Sequence, residues 1–341
     1  MALLSVSNTG GRKNFIINGD FVVWQRGTSF AVSNNSVYTA DRWQYTGSHN
    51  ANCSVNAVAY NSILGNRWQS FVLGLTVSVA DNSLASNSHC GMIYKMEGYD
   101  FRSLVNQVIT LSFWVKSSIT GTFSVSFRSP SGDRSYVATY TINSANTWEK
   151  KVITFTMHNC STGTWAFDHN AGLSIYFTLA AGSGYITTNT NQWVNGNYLA
   201  GTNQVNLLGS TSSNIYFAQV QLELGSSATS FEHIDFCDLF NKCQRYYETG
   251  NTAHFPCVMI TTNAGYITVP MQVQKRISLA SGGTITLNSP MIYNSGWYSI
   301  DTPTLNGNEK NLIFTVVDLN HTYIVGGSYL TAGIWTADAE L

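Results

Sequence analysis

The strongest constraint on how this chain folds is a period of two in its hydrophobic residues, met again and again along its length. Ile109, Leu111, Phe113 and Val115 alternate with polar neighbours in one run, and Phe123, Val125 and Phe127 in the next. Leu173, Ile175, Phe177 and Leu179 repeat the pattern, and Tyr216, Ala218, Val220, Leu222 and Leu224 extend it. Successive side chains of a strand point to opposite faces, so this alternation predicts antiparallel sheets with one face on a core. Turn-rich stretches such as "SPSGDRS", "NSANT" and "AAGSG" separate the runs. Short strands at this spacing predict an all-β chain: a jelly-roll β-sandwich over residues 13–234 and a second β-sandwich-like domain over 251–341.

Two segments fall outside the pattern. Phe236, Leu239, Phe240, Cys243, Tyr246 and Tyr247 recur at helical spacing, with Asp235 placed as an N-cap and Gly250 as a stop. They predict one short helix over 235–250 that links the two domains. Residues 1–12 hold no sustained period and are expected to be an arm that docks onto other proteins. No internal repeat or long shaft precedes the first domain.

Composition narrows the partners. Of 341 residues only 10% are charged, 17 Lys and Arg against 18 Asp and Glu, whereas ordinary globular surfaces come from chains with about 25%. Asn, Ser and Thr, roughly three residues in ten, supply the polar coat instead. A net charge of -1 and the absence of basic runs exclude a nucleic-acid or anionic-membrane footprint. No window reaches the ~20 apolar residues of a spanning helix, so membrane insertion is not expected, and the N-terminal apolar stretch is too short for a secretory signal. The 6 cysteines are scattered with no CxxC pair, and read as reduced, buried thiols of a protein assembled in a cytoplasm.

The chain lacks the usual catalytic motifs: no Gly-x-Ser-x-Gly, no His-Glu-x-x-His and no glycine-rich phosphate loop. Its 7 histidines are dispersed. Glycoside cleavage needs two carboxylates, and the acids available are Glu97, Asp100, Asp133, Asp168, Asp301 and Glu309. They read as solvated turn acids, so no catalytic residue is expected. Sugar binding instead needs flat aromatic faces beside hydrogen-bonding groups. Trp193 and Tyr198 lie in an amide-rich loop, and Trp165 lies beside Asp168 and His169 in another. Trp297 and Tyr298 resemble a hairpin tip, and Trp114 faces away from Leu111 and Phe113 on its strand. These eight residues are the candidate glycan contacts, while Trp24, Trp43 and Trp148 are expected to pack in the core.

Five blocks, taken together and in order, carry a family resemblance: "NFIINGDFVVWQRGTSF" from Asn14, "YTADRW" from Tyr38, "VITLSFWVKS" from Val108, "AQVQLELGSSATSFE" from Ala218 and "CQRYYE" from Cys243. The chain resembles a bacteriophage tail-fibre or virion-adhesin family. The resemblance implies a jelly roll similar to carbohydrate-binding modules, carried on the phage particle and contacting host cell-surface glycans, commonly as a homotrimer. It also implies a structural calcium, but the carboxylates that hold it in related modules fall here on Val22, Ala218 and Gln219. Asp20 and Glu223 are the acids left nearby, a weak donor set for calcium, and no other cofactor is expected. The expected function is a non-enzymatic receptor-binding subunit of the virion. The alternatives are a capsid-decorating or tail-tip protein that binds other virion proteins, and a glycan depolymerase.

Overall fold

In the computed structural model, which describes residues 12–59, 71–252, 255–280, 282–293, 297–299, 304–317 and 321–341, the alternating runs are strands of two units, Met1–Ile234 and Asp235–Leu341. Two large sheets and the small parallel pair Ile186–Thr187 and Ala200–Gly201 build the first unit. One runs Ser29–Val32, Asn52–Ala59, Phe71–Val79, Asn214–Leu224, Val108–Ser117, Glu149–Thr156 in spatial order. The other runs Trp193–Asn195, Arg134–Ile142, Gly121–Arg128, Ala171–Ala181, His89–Glu97, Trp43–Ser48, Ser36–Tyr38. Most connections from His89 onward cross between the sheets, which is the winding of a jelly roll. The all-β sandwich read from the sequence is therefore the fold.

The predicted inner faces meet. Ile109, Leu111, Phe113 and Val115 pack with Phe123, Val125, Phe127, Leu173, Ile175 and Phe177 in one core, each with at most 1% of its surface exposed. Burying side chains of this size contributes roughly 1.5–3 kcal/mol apiece. Trp43 is in this core against Phe21, Tyr94 and Phe177. Trp24 packs at its margin, but Trp148 lies with Trp114, Tyr216, Val72 and Ala218 in a small cluster on the outer side of the first sheet.

One strand departs from its expected face. Residues 216, 218, 220, 222 and 224 share a side only in an unbroken strand, and a bulge between Ala218 and Gln221, with Gln219 at φ 49°, breaks this one. Ile215, Phe217, Val220 and Leu222 enter the core, whereas Tyr216 and Ala218 point outward and Leu224 is exposed. The backbone groups around the bulge are taken up by the N-terminal segment. Val220 N–H donates to the Gly19 carbonyl, the Asn14 amide donates to the Val220 carbonyl, and Leu222 N–H donates to Asn14 Oδ1.

The helix is Phe236–Gln244, capped by Asp235, whose carboxylate accepts from Cys237 N–H. It ends before the expected Gly250 because Tyr247–Asn251 is a strand paired with Ser328–Asp338. It also belongs to the second unit, so it is not a free linker. That unit is one eight-stranded sheet, ordered Trp297–Ser299, Thr284–Tyr293, Ser328–Asp338, Cys257–Met259, Ala264–Pro270, Asn311–Val317, Thr304–Gly307, with Tyr247–Asn251 also on Ser328–Asp338. The sheet curls on itself: Ile267 and Phe314 from one half share a core with Leu287, Ile292 and Trp335 from the other. Of the expected arm, residues 1–11 lie outside the described residues. Arg12 is part of the first unit, ion-paired to Asp100 at 2.7 Å and bonded to the Asn14 and Phe15 carbonyls.

A buried polar chain makes this core acid-sensitive. Ala51 N–H donates to His49 Nδ1 at 3.1 Å, which leaves the ring proton on Nε2 to meet Tyr45 Oη at 2.6 Å, and Tyr45 in turn donates to the Ser33 carbonyl. Burial lowers the His49 pKa against a smaller opposing pull from Asp81; it also lowers those of His89 and His158. The unfolded chain therefore takes up protons that the folded chain refuses. Stability is full above the ordinary histidine pKa and falls as pH drops below it, by up to about 1.4 kcal/mol per pH unit for each histidine. The melting temperature is expected to fall from pH 6.5 to 5, and less steeply in His49→Gln; a flat wild-type profile contradicts this account.

Candidate functional site

Two of the loops picked out in the sequence meet at one end of the sandwich. The Trp193–Asn195 strand adds to the edge of the second sheet, which sets Trp193 opposite Tyr136. The loop after Thr156 folds back beside it, so the Trp165 and Trp193 rings lie 5.8 Å apart, nearly perpendicular. Each indole N–H is anchored to a backbone carbonyl, Trp165 to Thr162 and Trp193 to Thr156. Both are half-buried supports, and neither is a free platform.

Trp165 belongs to a stack of four rings. His158 lies 5.5 Å from it at 19°, Phe101 lies 5.3 Å from it at 18°, and Phe167 continues from Phe101 at 6.0 Å and 9°. Phe167 is 45% exposed, and Tyr99 is 48% exposed with the Arg102 guanidinium 5.6 Å over its ring. The short helix Gly98–Phe101 holds the loop in place: Tyr99 N–H donates to the Asp168 carbonyl and Gly98 N–H to the Asn170 carbonyl. Only glycine allows this approach, because a Cβ on residue 98 would sit 2.5 Å from the Ala166 carbonyl oxygen. Neither Phe167 nor Tyr99 was singled out from sequence. The available signal was their place beside Trp165 and Phe101 in short polar loops.

The polar groups around the stack are fixed. Asp133 accepts from Ser129 Oγ and from both N–H and Oγ1 of Thr164, which hold its carboxyl far below the usual range. Asp168 accepts from Asn170 N–H at 2.8 Å and is likewise lowered. Burial and the Arg134 guanidinium beside it lower the His158 pKa, which favours the uncharged ring in the stack. The other candidate acids have separate surroundings: Asp100 pairs with Arg12, Glu97 is buried, Glu309 is in the second unit, and Asp301 lies outside the described residues.

The remaining candidates are not drawn into this cluster. Tyr198 is pinned along the outer face of the second sheet, its N–H on Ser135 Oγ and its carbonyl on Ser126 Oγ. His169 is half-buried next to Asp168 in the loop. Trp114 is on the outer face of the other sheet, near Lys116, whose Nζ lies 4.7 Å above the Tyr216 ring. Tyr298 packs on His321 in the second unit at 3.8 Å between rings. Trp297 begins the predicted hairpin's return strand, opposite Tyr293, but its side chain lies outside what the structure describes.

The residues near the expected calcium do not fit a cation. Glu223 is 3% exposed and both its oxygens are occupied, Oε1 by Thr229 N–H and the Gln221 amide, Oε2 by Thr229 Oγ1. Burial pushes the Asp20 pKa up, which favours its neutral form. Hard cations need several oxygen ligands with ionised carboxylates among them. Among the described residues, no group of three or more His, Cys, Asp or Glu is placed to hold a metal.

No protein-family model matches the chain, and no curated protein matches it. Several solved structures are similar. One is the enzymatically active domain of tailspike protein 4 of bacteriophage CBA120, at 12% identity and a TM-score of 0.34, covering 62% of this chain and 21% of that one. Another is a family 61 carbohydrate-binding module solved with β-1,4-galactotriose, at 11% identity and a TM-score of 0.32, covering 63% of this chain and 100% of that one. A third is the tandem pair of family 22 modules from a Paenibacillus barcinonensis protein, at 11% identity and a TM-score of 0.28, covering 93% and 99%. Likeness at this level leaves function to be argued from the residues of the site.

Proposed function

We propose that the protein is a glycan-binding, non-catalytic subunit that contacts sugar through the aromatic end of its first unit. The stack of four rings from His158 through Trp165 and Phe101 to the exposed Phe167 supports this reading most directly. A ring fixed by three others beneath it offers a preorganised face to the C–H surface of a pyranose at little entropic cost. Tyr99, with Arg102 over one side of its ring, supplies a second exposed aromatic, while Asp168 and Asn170 supply acceptors and donors for hydroxyls. Lowered carboxyl pKa values at Asp133 and Asp168 suit hydrogen-bond acceptance; a glycosidase needs one carboxyl raised to act as acid.

The place of this binding is the surface of a phage virion, contacting host glycans. That step rests on the sequence blocks from Asn14 to Glu248, and the neutral Asn, Ser and Thr coat is compatible with it. Single sites of this kind bind weakly, so presentation in several copies supplies the useful strength.

Removing one stacking face costs about 1–1.5 kcal/mol, or roughly tenfold in affinity. Phe167→Ala and Tyr99→Ala are therefore each expected to weaken binding about tenfold on an array of bacterial envelope polysaccharides, with melting temperature unchanged. Wild-type protein that binds nothing on the array, or a Phe167→Ala protein that binds as well as wild type, sinks the reading. Shortened polysaccharide after incubation would instead support the depolymerase.

A further inference from the structure

The second unit carries an apolar face that its own core leaves uncovered. In the adjacent strands Cys257–Met259, Ala264–Pro270 and Asn311–Val317, one set of alternate residues enters the core, among them Cys257, Ile267 and Phe314. The other set points outward, where an antiparallel sheet facing water ordinarily turns polar. Here Val258, Ile260, Tyr266 and Ile313 stand between 37% and 45% exposed. The register makes them neighbours. Val258 lies opposite Tyr266, Ile313 lies opposite Thr268 and so one diagonal step from Tyr266, and Ile260 N–H continues the ladder by donating to the Ala264 carbonyl. The turn Ile324–Gly327 is strapped to the end of the same strand, with Gly326 N–H on the Met259 carbonyl and Met259 N–H on the Gly327 carbonyl. It presents Ile324 and Val325 at 75% and 58% exposed.

Charge and area both bear on what covers this face. The three strands hold no Asp, Glu, Lys or Arg. Identical surfaces bring like charges together when they meet, so a face that receives its own copy is best without them, and an uncharged face offers nothing to an ionic partner. The six apolar side chains expose roughly 500–600 Å², the top of the range for the largest apolar patch on a monomer. Two such faces joined bury about 1,000–1,200 Å², which reaches the size of a specific interface.

We propose that this face packs against the same face of a second copy of the chain, sheet on sheet. A single face that pairs with itself closes at two copies, which differs from the threefold assembly implied by the sequence resemblance. The inference stands apart from the glycan-binding reading, which Phe167→Ala tests at the other unit. Sedimentation velocity of the full chain over a dilution series decides it. Wild type is expected to sediment as a dimer that dissociates on dilution. Tyr266→Lys and Ile313→Lys each place a lysine in both copies' faces, and are expected to raise the dissociation constant at least a hundredfold. Ile324→Ser combined with Val325→Ser alters the turn outside the strands and is expected to raise it about tenfold; this variant carries the test if a lysine variant fails to fold by circular dichroism. Thr141→Lys, exposed on a strand of the first unit, leaves the constant unchanged. Wild type that is monomeric at every concentration, a strict trimer, or a dimer that the lysine and turn variants leave intact overturns the inference. So does a monomeric wild type whose glycan binding falls in Tyr266→Lys, because the face is then a sugar platform.

Discussion

Lys275→Ala is expected to destabilise the second unit by about 3–5 kcal/mol, the cost of leaving one buried charge without its partner. Lys275 and Glu248 are 1% and 2% exposed. The lysine Nζ donates to the Glu248 carboxylate and to the Gln244 carbonyl, and Glu248 Oε1 accepts from Gln272 N–H. These bonds fasten the last turn of the Phe236–Gln244 helix, the Tyr247–Asn251 strand and the segment after Pro270 to one another. Burial pulls the lysine pKa down and Glu248 pulls it back up, which is the balance of a desolvated pair. A single replacement removes the attraction but keeps the desolvation of the survivor. Lys275→Met combined with Glu248→Leu removes both charges and is expected to recover most of the loss. Denaturant unfolding of the full chain, followed in the transition of the second unit, measures the difference. A single-variant effect below about 1 kcal/mol is the size of an exposed pair, and contradicts a buried one.

How far the fold could be read from sequence depended on the range of the forces involved. The strands 108–117 and 121–128 take the faces their alternation predicts, because each local run agrees with the core it faces. The bulge at Gln219 is set by hydrogen bonds from Asn14 and Gly19, some two hundred residues earlier, so no local pattern announces it. Tyr246 and Tyr247 fit a helix by spacing, yet pairing of the following strand with Ser328–Asp338 ends the helix at Gln244. Alternation also says which face is inward without saying how polar the other face is: Val258, Tyr266 and Ile313 are 43%, 43% and 37% exposed on the second unit. At the site, Trp165 and Trp193 were each visible as aromatics in polar loops. Their meeting depends on the edge pairing of Trp193 with Tyr136, and the exposed ring of the stack is Phe167 because Trp165 is sandwiched between His158 and Phe101.

Gly19→Ala is the second large effect, expected to cost about 3 kcal/mol through overpacking against rigid backbone. A Cβ at residue 19 would lie 2.0 Å from the Val220 carbonyl oxygen and 3.1 Å from its carbon. That carbonyl cannot withdraw freely, since it accepts from the Asn14 amide at 3.1 Å while Val220 N–H donates to the Gly19 carbonyl at 2.8 Å. The residues on either side are equally committed. Asn18, at φ 58°, accepts from Val22 and Val23 N–H and donates to the Val23 and Asp41 carbonyls, and Phe21 is fully buried 5.0 Å from Trp43. The Asn-Gly-Asp-Phe block is thus a clasp between the N-terminal segment and the bulged strand, made of amide and backbone hydrogen bonds. Because these bonds involve no metal ligand, the Gly19→Ala loss is expected to be the same with and without a chelator. Gly209→Ala is the matched control, because its Cβ would meet nothing closer than 3.5 Å, and its effect should stay within about 0.5 kcal/mol. Thermal unfolding of the two variants side by side decides the matter: equal, small shifts would mean that the strand yields and the clasp is not rigid.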